Sequence, residues 1–145
     1  MLLEGKNVVI TGSGRGIGKA IAIACAEQGA NVGITSRTLE ELNQVKSEIQ
    51  ENAPDAKVVV KTADITNYEE VEKMFKEFND ELGSLHGVVA NAGMSGRYDT
   101  HKFTAEKFAK IIDVNVNGVF HTFKASYSHL ATDNKKDKAR IIITG

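Results

Sequence analysis

Between positions 11 and 18 the chain reads Thr11-Gly12-Ser13-Gly14-Arg15-Gly16-Ile17-Gly18, and no other stretch narrows the possible folds as much. In front of it lies Val8-Val9-Ile10, β-branched throughout, as suits a buried strand. Behind it Ile17, Ile21, Ala24 and Cys25 recur at helical spacing and predict the apolar face of a first helix. Glycines at such a hinge let the backbone adopt conformations that a Cβ forbids, and let a second molecule approach the main chain. The first N–H groups of the helix lack intrahelical partners and therefore face an anion. The general dinucleotide fingerprint G-x-G-x-x-G is not matched, because Ile17 stands where its third glycine falls. The spacing here is Gly12-x-x-x-Gly16-x-Gly18, which taken alone also allows a tight turn without a ligand.

The residues beyond the hinge favour the ligand. Ala30 to Thr35 predicts a second strand after a C-capping Gly29, and Leu39 begins a second helix. Thr38 and Glu41 have the spacing of a capping box for that helix, with Leu42, Val45 and Ile49 as its inner stripe. Past the lone Pro54, Val58-Val59-Val60 predicts a third strand, and Asn67 caps a helix with the stripe Val71, Met74, Phe75, Phe78 and Leu82, ended by Gly83. Leu85 to Ala90 predicts a fourth strand, with Asn91-Ala92-Gly93 as the loop at its end. A short helix from Thr104 is expected to bury Phe108, Ile111 and Ile112. A separate helix from about Asn115 to Leu130 is expected to bury Val119, Phe120, Phe123 and Tyr127. After a charged loop over 131–138, Ile141-Ile142-Ile143 predicts a fifth strand. Strands alternating with helices predict a parallel sheet with right-handed crossovers. The fold class is α/β: a Rossmann-like, doubly wound, three-layer αβα domain over residues 1–145, in strand order 3-2-1-4-5.

Composition limits the partners. A net charge of −1, with Lys135, Lys136, Lys138 and Arg140 interleaved with Asp133 and Asp137, supplies no basic stripe for nucleic acid or an anionic membrane. No run approaches the roughly 18 apolar residues of a membrane span, and none reads as a cleaved leader before the first strand. The single cysteine, Cys25, reads as a small core filler and suits a reducing compartment, so a cytoplasmic location is expected. His86, His101, His121 and His129 have no metal-ligand spacing, and no metal is expected.

In a doubly wound sheet the ligand lies outside the carboxyl ends of the strands. At the end of the second strand, where a carboxylate would hold the ribose of NAD, this chain has Ser36-Arg37. A guanidinium pairs bidentately with a 2′-phosphate, and Arg15 in the glycine loop adds a second positive charge; for each arginine alone, a solvated surface charge is the competing reading.

Four segments, Thr11 to Gly18, Ala63-Asp64-Ile65, Asn91-Ala92-Gly93 and Asn115-Val116-Asn117-Gly118, resemble in order the signature elements of the short-chain dehydrogenase/reductase family. Ala90 departs from it, since the family has a further Asn there. The resemblance spans essentially the whole chain. It implies a cofactor site made of Gly12, Ser13, Gly14, Arg15, Gly16, Ile17, Gly18, Ser36, Arg37, Asp64, Ile65, Asn91, Ala92 and Gly93. In it Asp64 accepts a hydrogen bond from the adenine amino group. The resemblance further implies a catalytic role for Asn115, which kinks its helix and binds a water leading to a catalytic lysine. The cofactor implied is NADP(H) in preference to NAD(H). The reaction implied is hydride transfer between nicotinamide and a small carbonyl or alcohol substrate, such as a 3-oxoacyl compound or another ketone. Family members are commonly homo-oligomers, dimers or tetramers, built through the helix between the fourth and fifth strands.

The family's catalytic serine lies just past the fifth strand and its Tyr-x-x-x-Lys pair on the next helix, whereas this sequence stops at Gly145. Only Tyr98 and Lys102 have the pair's spacing, and they precede Asn115, out of family order. Ile141 to Ile143 is apolar on both pleat faces, as a strand covered on both sides should be, so the sheet is expected to be incomplete at that edge. The expectation is the amino-terminal portion of a longer reductase, about 100 residues short of one domain, that holds the cofactor without turning over. The alternative is a noncatalytic nucleotide-binding or interaction module produced by truncation.

Overall fold

The computed structural model describes residues 1–132 and 138–145. Residues 133–137 of the expected charged loop lie outside that description. The elements run β1 (Asn7–Thr11), α1 (Gly16–Glu27), β2 (Asn31–Ser36), α2 (Leu39–Asn52), β3 (Val58–Thr62), α3 (Tyr68–Leu82), β4 (Gly87–Ala90), α4 (Ala105–Ile112), α5 (Gly118–Tyr127) and β5 (Arg140–Ile143). The strands form one parallel sheet in the order β3-β2-β1-β4-β5, with Val9 opposite Gly33 on one side and Val88 on the other. The predicted doubly wound order is the one observed.

Period-two alternation divides β1 between two cores. Val8 and Ile10 join Val32, Ile34 and Val58 under α1 and α2, where Ala22, Ala26, Leu42, Val45 and Ile49 fill the layer. Val9 points the other way and packs with Val59 and Val88 against Val71, Met74, Phe75 and Phe78 of α3 and Ala125 of α5. Asn67 caps α3 by accepting a hydrogen bond from the Glu70 amide, and Gly83, at φ 88°, terminates it, as the sequence predicts.

Three helix expectations need correction. The face of α1 that meets the sheet is Gly18, Ala22 and Ala26; Ile17 and Ala24 are exposed, and Ile21 and Cys25 only half-buried. Small residues won that face because they allow the helix to lie close to the strands. The capping box of α2 does not form: Thr38 sits at the N-cap without a side-chain bond, and its amide donates instead to Ser36 Oγ at 3.2 Å.

Nor are α4 and α5 separate helices. A π-helical turn at Asp113–Asn117 joins them into one rod, capped at Thr104, whose hydroxyl accepts from the Lys107 amide. Its buried side is Gly118, Thr122, Ala125 and Ser126, while Phe108, Ile112, Phe120, Phe123 and Tyr127 face outward, Phe120 being 60% exposed. Gly118 decides this rotation, since a Cβ there would come 2.8 Å from the Ile65 side chain. At the sheet edge Ile142 and Ile143 are more than half exposed, the incomplete cover that the sequence predicts.

Candidate functional site

A cleft of about 430 Å³ opens at the carboxyl ends of β1, β2, β3 and β4. Its floor is built first from the hinge. Gly12 (φ 64°) and Gly16 (φ 57°) take left-handed conformations that L side chains rarely adopt. Gly18 is needed for another reason: a Cβ there would stand 2.2 Å from the Gly12 carbonyl oxygen and 2.5 Å from Asn91 Nδ2. The start of α1 is thereby pressed onto the end of β1, and its first turn carries no acidic residue to neutralise the unpaired N–H groups.

Polar side chains brace that floor. Ser13 is fully buried, and its hydroxyl bonds the Ile10 carbonyl (3.0 Å) and receives the Thr35 amide (2.9 Å), so it ties β1 to β2 from behind the cleft wall. Thr11 Oγ1 accepts the amides of Asn91 and Ala92, each at 3.0 Å. Asn91 donates through Nδ2 to the Thr11 and Gly12 carbonyls and accepts from the Thr144 hydroxyl through Oδ1. One amide thus joins the ends of β1, β4 and β5.

Of the predicted cofactor residues, Gly12, Gly14, Arg15, Ile17, Ser36, Arg37, Asp64, Ile65, Asn91, Ala92 and Gly93 line the cleft. Ser13, Gly16 and Gly18 shape it without lining it. Arg15 and Arg37 are exposed, and among the described residues neither guanidinium joins an ion pair. Asp64 Oδ1 accepts from the hydroxyl (2.7 Å) and amide (2.9 Å) of Thr66. Those two bonds, hydroxyl foremost, hold its carboxyl below the usual carboxylate range, with a smaller contribution from the Arg37 charge.

Asn115 lies in the π-helical turn and does not line the cleft. Its amide clamps the loop after β4, accepting from the Met94 amide and donating to the Met94 carbonyl, both at 2.8 Å. Met94 and Val114, beside that clamp, do line the cleft. Tyr98 stacks on Phe103 outside the cleft, Lys107 Nζ lies over its ring, and Lys102 pairs with Asp99, so Tyr98 and Lys102 do not form a unit at the site.

Sequence reasoning missed Thr11, Thr35, Thr38, Glu41, Ala63, Met74, Met94 and Val114 as lining residues. Thr11 was within sight, as the first residue of the hinge segment; Glu41 was masked by its capping-box spacing. Among the described residues no group of three His, Cys, Asp or Glu side chains could hold a metal ion, and no helix is long and apolar enough to cross a membrane.

An anion cradle at a helix start, a glycine-lined floor and a cleft at the strand-order reversal define a nucleotide-binding doubly wound domain. The residues fit a dinucleotide: Gly12 and Gly18 let the hinge lie against Asn91 and Ala92, a Cβ at Gly14 would crowd the cleft-lining Ser36 and Glu41, and Thr35 Oγ1, buried in the cleft wall, has no hydrogen-bond partner among the described residues. The family model for short chain dehydrogenases matches residues 6–145, and the chain belongs to that family. It is 36% identical over 143 residues to versicolorin reductase 1 of Dothistroma septosporum, covering 98% of this chain and 52% of the relative. A crystal structure of levodione reductase superposes with a TM-score of 0.90 at 29% identity, over 99% of this chain and 55% of that one. An alcohol dehydrogenase from the archaeon Thermococcus sibiricus, complexed with 5-hydroxy-NADP, matches with a TM-score of 0.81 at 33% identity, over 86% and 52%. The chain spans about half the length of the curated relatives it matches.

Proposed function

We propose that this chain is the cofactor-holding part of an NADP(H)-dependent oxidoreductase acting on a carbonyl or alcohol. The observation that carries the cofactor choice is the pair of exposed guanidinia, Arg15 and Arg37, at the Ser36 end of the cleft with no ion-pair partner among the described residues. Two such charges suit a 2′-phosphate, and the 5-hydroxy-NADP complex of the Thermococcus relative agrees with that choice. The N–H groups of the first turn of α1 hold the pyrophosphate, and the Asp64 carboxylate accepts the adenine amino group. Asn115 is a positioning residue that fixes Met94, next to Gly93, beside the nicotinamide end. A nicotinamide nucleotide supplies or accepts the hydride. The reductase names of the relatives favour a ketone as the oxidised substrate.

With Tyr98 and Lys102 outside the cleft, the isolated 145 residues are expected to bind cofactor without turning over a ketone. Self-association follows from the outward apolar rod of α4 and α5, as a dimer or tetramer, and the lone Cys25 suits the cytoplasm. The test is Arg37→Ala: NADPH binding should weaken by about 1.5–3 kcal/mol, as for a hydrogen bond to a charged group, and NADH binding by much less. Equal losses for the two cofactors refute the 2′-phosphate assignment.

A further inference from the structure

Resting on that reading of the cleft, we propose that Glu41 sets how far this chain prefers the 2′-phosphorylated cofactor. Its carboxylate opposes a 2′-phosphate and offers the 2′-hydroxyl of the unphosphorylated form an acceptor.

One expected hydrogen bond is not made. In a capping box the glutamate at the third helical position turns back to the N-cap amide. Here that amide, of Thr38, is taken by Ser36 Oγ at 3.2 Å, and the same hydroxyl lies 3.3 Å from the Thr38 carbonyl, to which it donates. Ser36 therefore releases Glu41 from the cap. The released side chain is half-buried and turns into the cleft, where Oε2 lies 2.8 Å from the point a Cβ on Gly14 would occupy; Ser36 Oγ lies 3.1 Å from the same point. A carboxylate oxygen and the Ser36 hydroxyl thus crowd one spot, against the glycine loop and at the end of β2.

That spot is where a ribose carboxylate would be expected in an NAD site, although here it is reached from α2 rather than from β2. Arg15, Arg37 and Glu41 all line the cleft, and among the described residues no ion pair joins them, so the negative charge acts on the ligand rather than being neutralised by an arginine. The cleft lining therefore carries two positive charges, Arg15 and Arg37, and two negative ones, Asp64 and Glu41, of which Glu41 is the one set against Gly14 and Ser36. Two arginines alone would discriminate strongly for a 2′-phosphate; the glutamate reduces that discrimination and keeps NAD(H) usable.

The magnitude is that of an exposed charge pair, worth a few-fold in affinity per unit charge, acting on a phosphate of about −1.5 to −2. Replacement by Gln keeps the shape and an acceptor but removes the charge. By titration calorimetry on the 145-residue chain, Glu41→Gln is expected to tighten NADPH about 3- to 10-fold and to weaken NADH about 2- to 3-fold. Glu41→Ala is expected to tighten NADPH similarly and to weaken NADH further, because the acceptor is gone as well. Circular-dichroism melting checks that each variant folds. If neither does, Glu41→Asp, which withdraws the charge by one methylene, is expected to move the ratio the same way by less. An NADPH/NADH affinity ratio that stays within about twofold of the parent in the folded variants overturns the proposal. Arg37→Ala in the same titration separates it from its foundation: equal losses there overturn the 2′-phosphate reading, whatever Glu41 does.

Discussion

Gly18→Ala sets two physical effects against each other. Gly18 is helical and its φ is not positive, so propensity alone predicts that alanine stabilises the helix by about 0.5–1 kcal/mol. Packing predicts the reverse. The new Cβ would stand 2.2 Å from the Gly12 oxygen and 2.5 Å from Asn91 Nδ2, where ordinary contact begins at 3.4 Å, so the start of α1 must retreat from β1 by more than an ångström. Overpacking costs about 1–3 kcal/mol, and because the obstacle is backbone the upper end applies. Displacing Asn91 also weakens its bonds to the Thr11 and Gly12 carbonyls, each worth about 0.5–1.5 kcal/mol. The net expectation is a loss of about 2 kcal/mol or more, read as a melting midpoint lowered by roughly 6–8 °C for a chain of this size. NADPH affinity should fall at least tenfold, because the same retreat moves the N–H cradle. Gly16→Ala is the control: it meets nothing within 4 Å but has φ 57°, so it should cost only the left-handed strain of about 1 kcal/mol. A Gly18→Ala chain melting at or above the parent would refute the close-packing argument.

Further outcomes can be checked with the same material. Asn115→Ala removes both bonds of the Met94 clamp and should cost about 1–2 kcal/mol, seen as faster amide hydrogen exchange over 93–96; unchanged exchange there would dismiss the clamp. Asp64 has a folded pKa below its unfolded one, so its contribution to stability is present above about pH 4 and is lost as the pH falls through the folded value. Thr66→Ala should flatten that acid-side loss in urea titrations, and an identical slope in parent and variant contradicts the assignment. Exchanging Phe120 and Phe123 together for Glu should shift the chain to monomer in light scattering, with no change of mass counting against the α5 interface. The unmodified chain should show no ketone-dependent NADPH oxidation; measurable turnover would mean that these residues suffice for catalysis.

Much of the fold was legible because its signals are local. The glycine spacing marks where β1 ends and α1 begins, and β-branched runs separated by 3.6-period stripes predict alternating elements and, with right-handed crossovers, the strand order. Asn67 and Gly83 punctuate α3 as residues of their types should. The helix faces were less legible. Hydrophobic spacing groups Phe108 with Ile111 and Ile112, and Phe120 with Val119, Phe123 and Tyr127, as the stripes of two helices, but does not say whether the sheet covers them. Gly118, Thr122 and Ala125 win the inner side because small residues let the rod approach Ile65 and α3.

The same division runs through the site. Sequence alone determined which chemical groups surround the cleft, since glycines that must sit at positive φ or against backbone leave little choice of residue, and Arg37 follows β2 directly. Only the tertiary structure decided what each polar side chain does there. Ser13 and Asn91 turned out to brace strands and Asn115 to hold Met94. Glu41 left its cap for the cleft because Ser36 took the Thr38 amide. A donor's partner is settled by which acceptor reaches it first in three dimensions, and spacing along the chain only states the candidates.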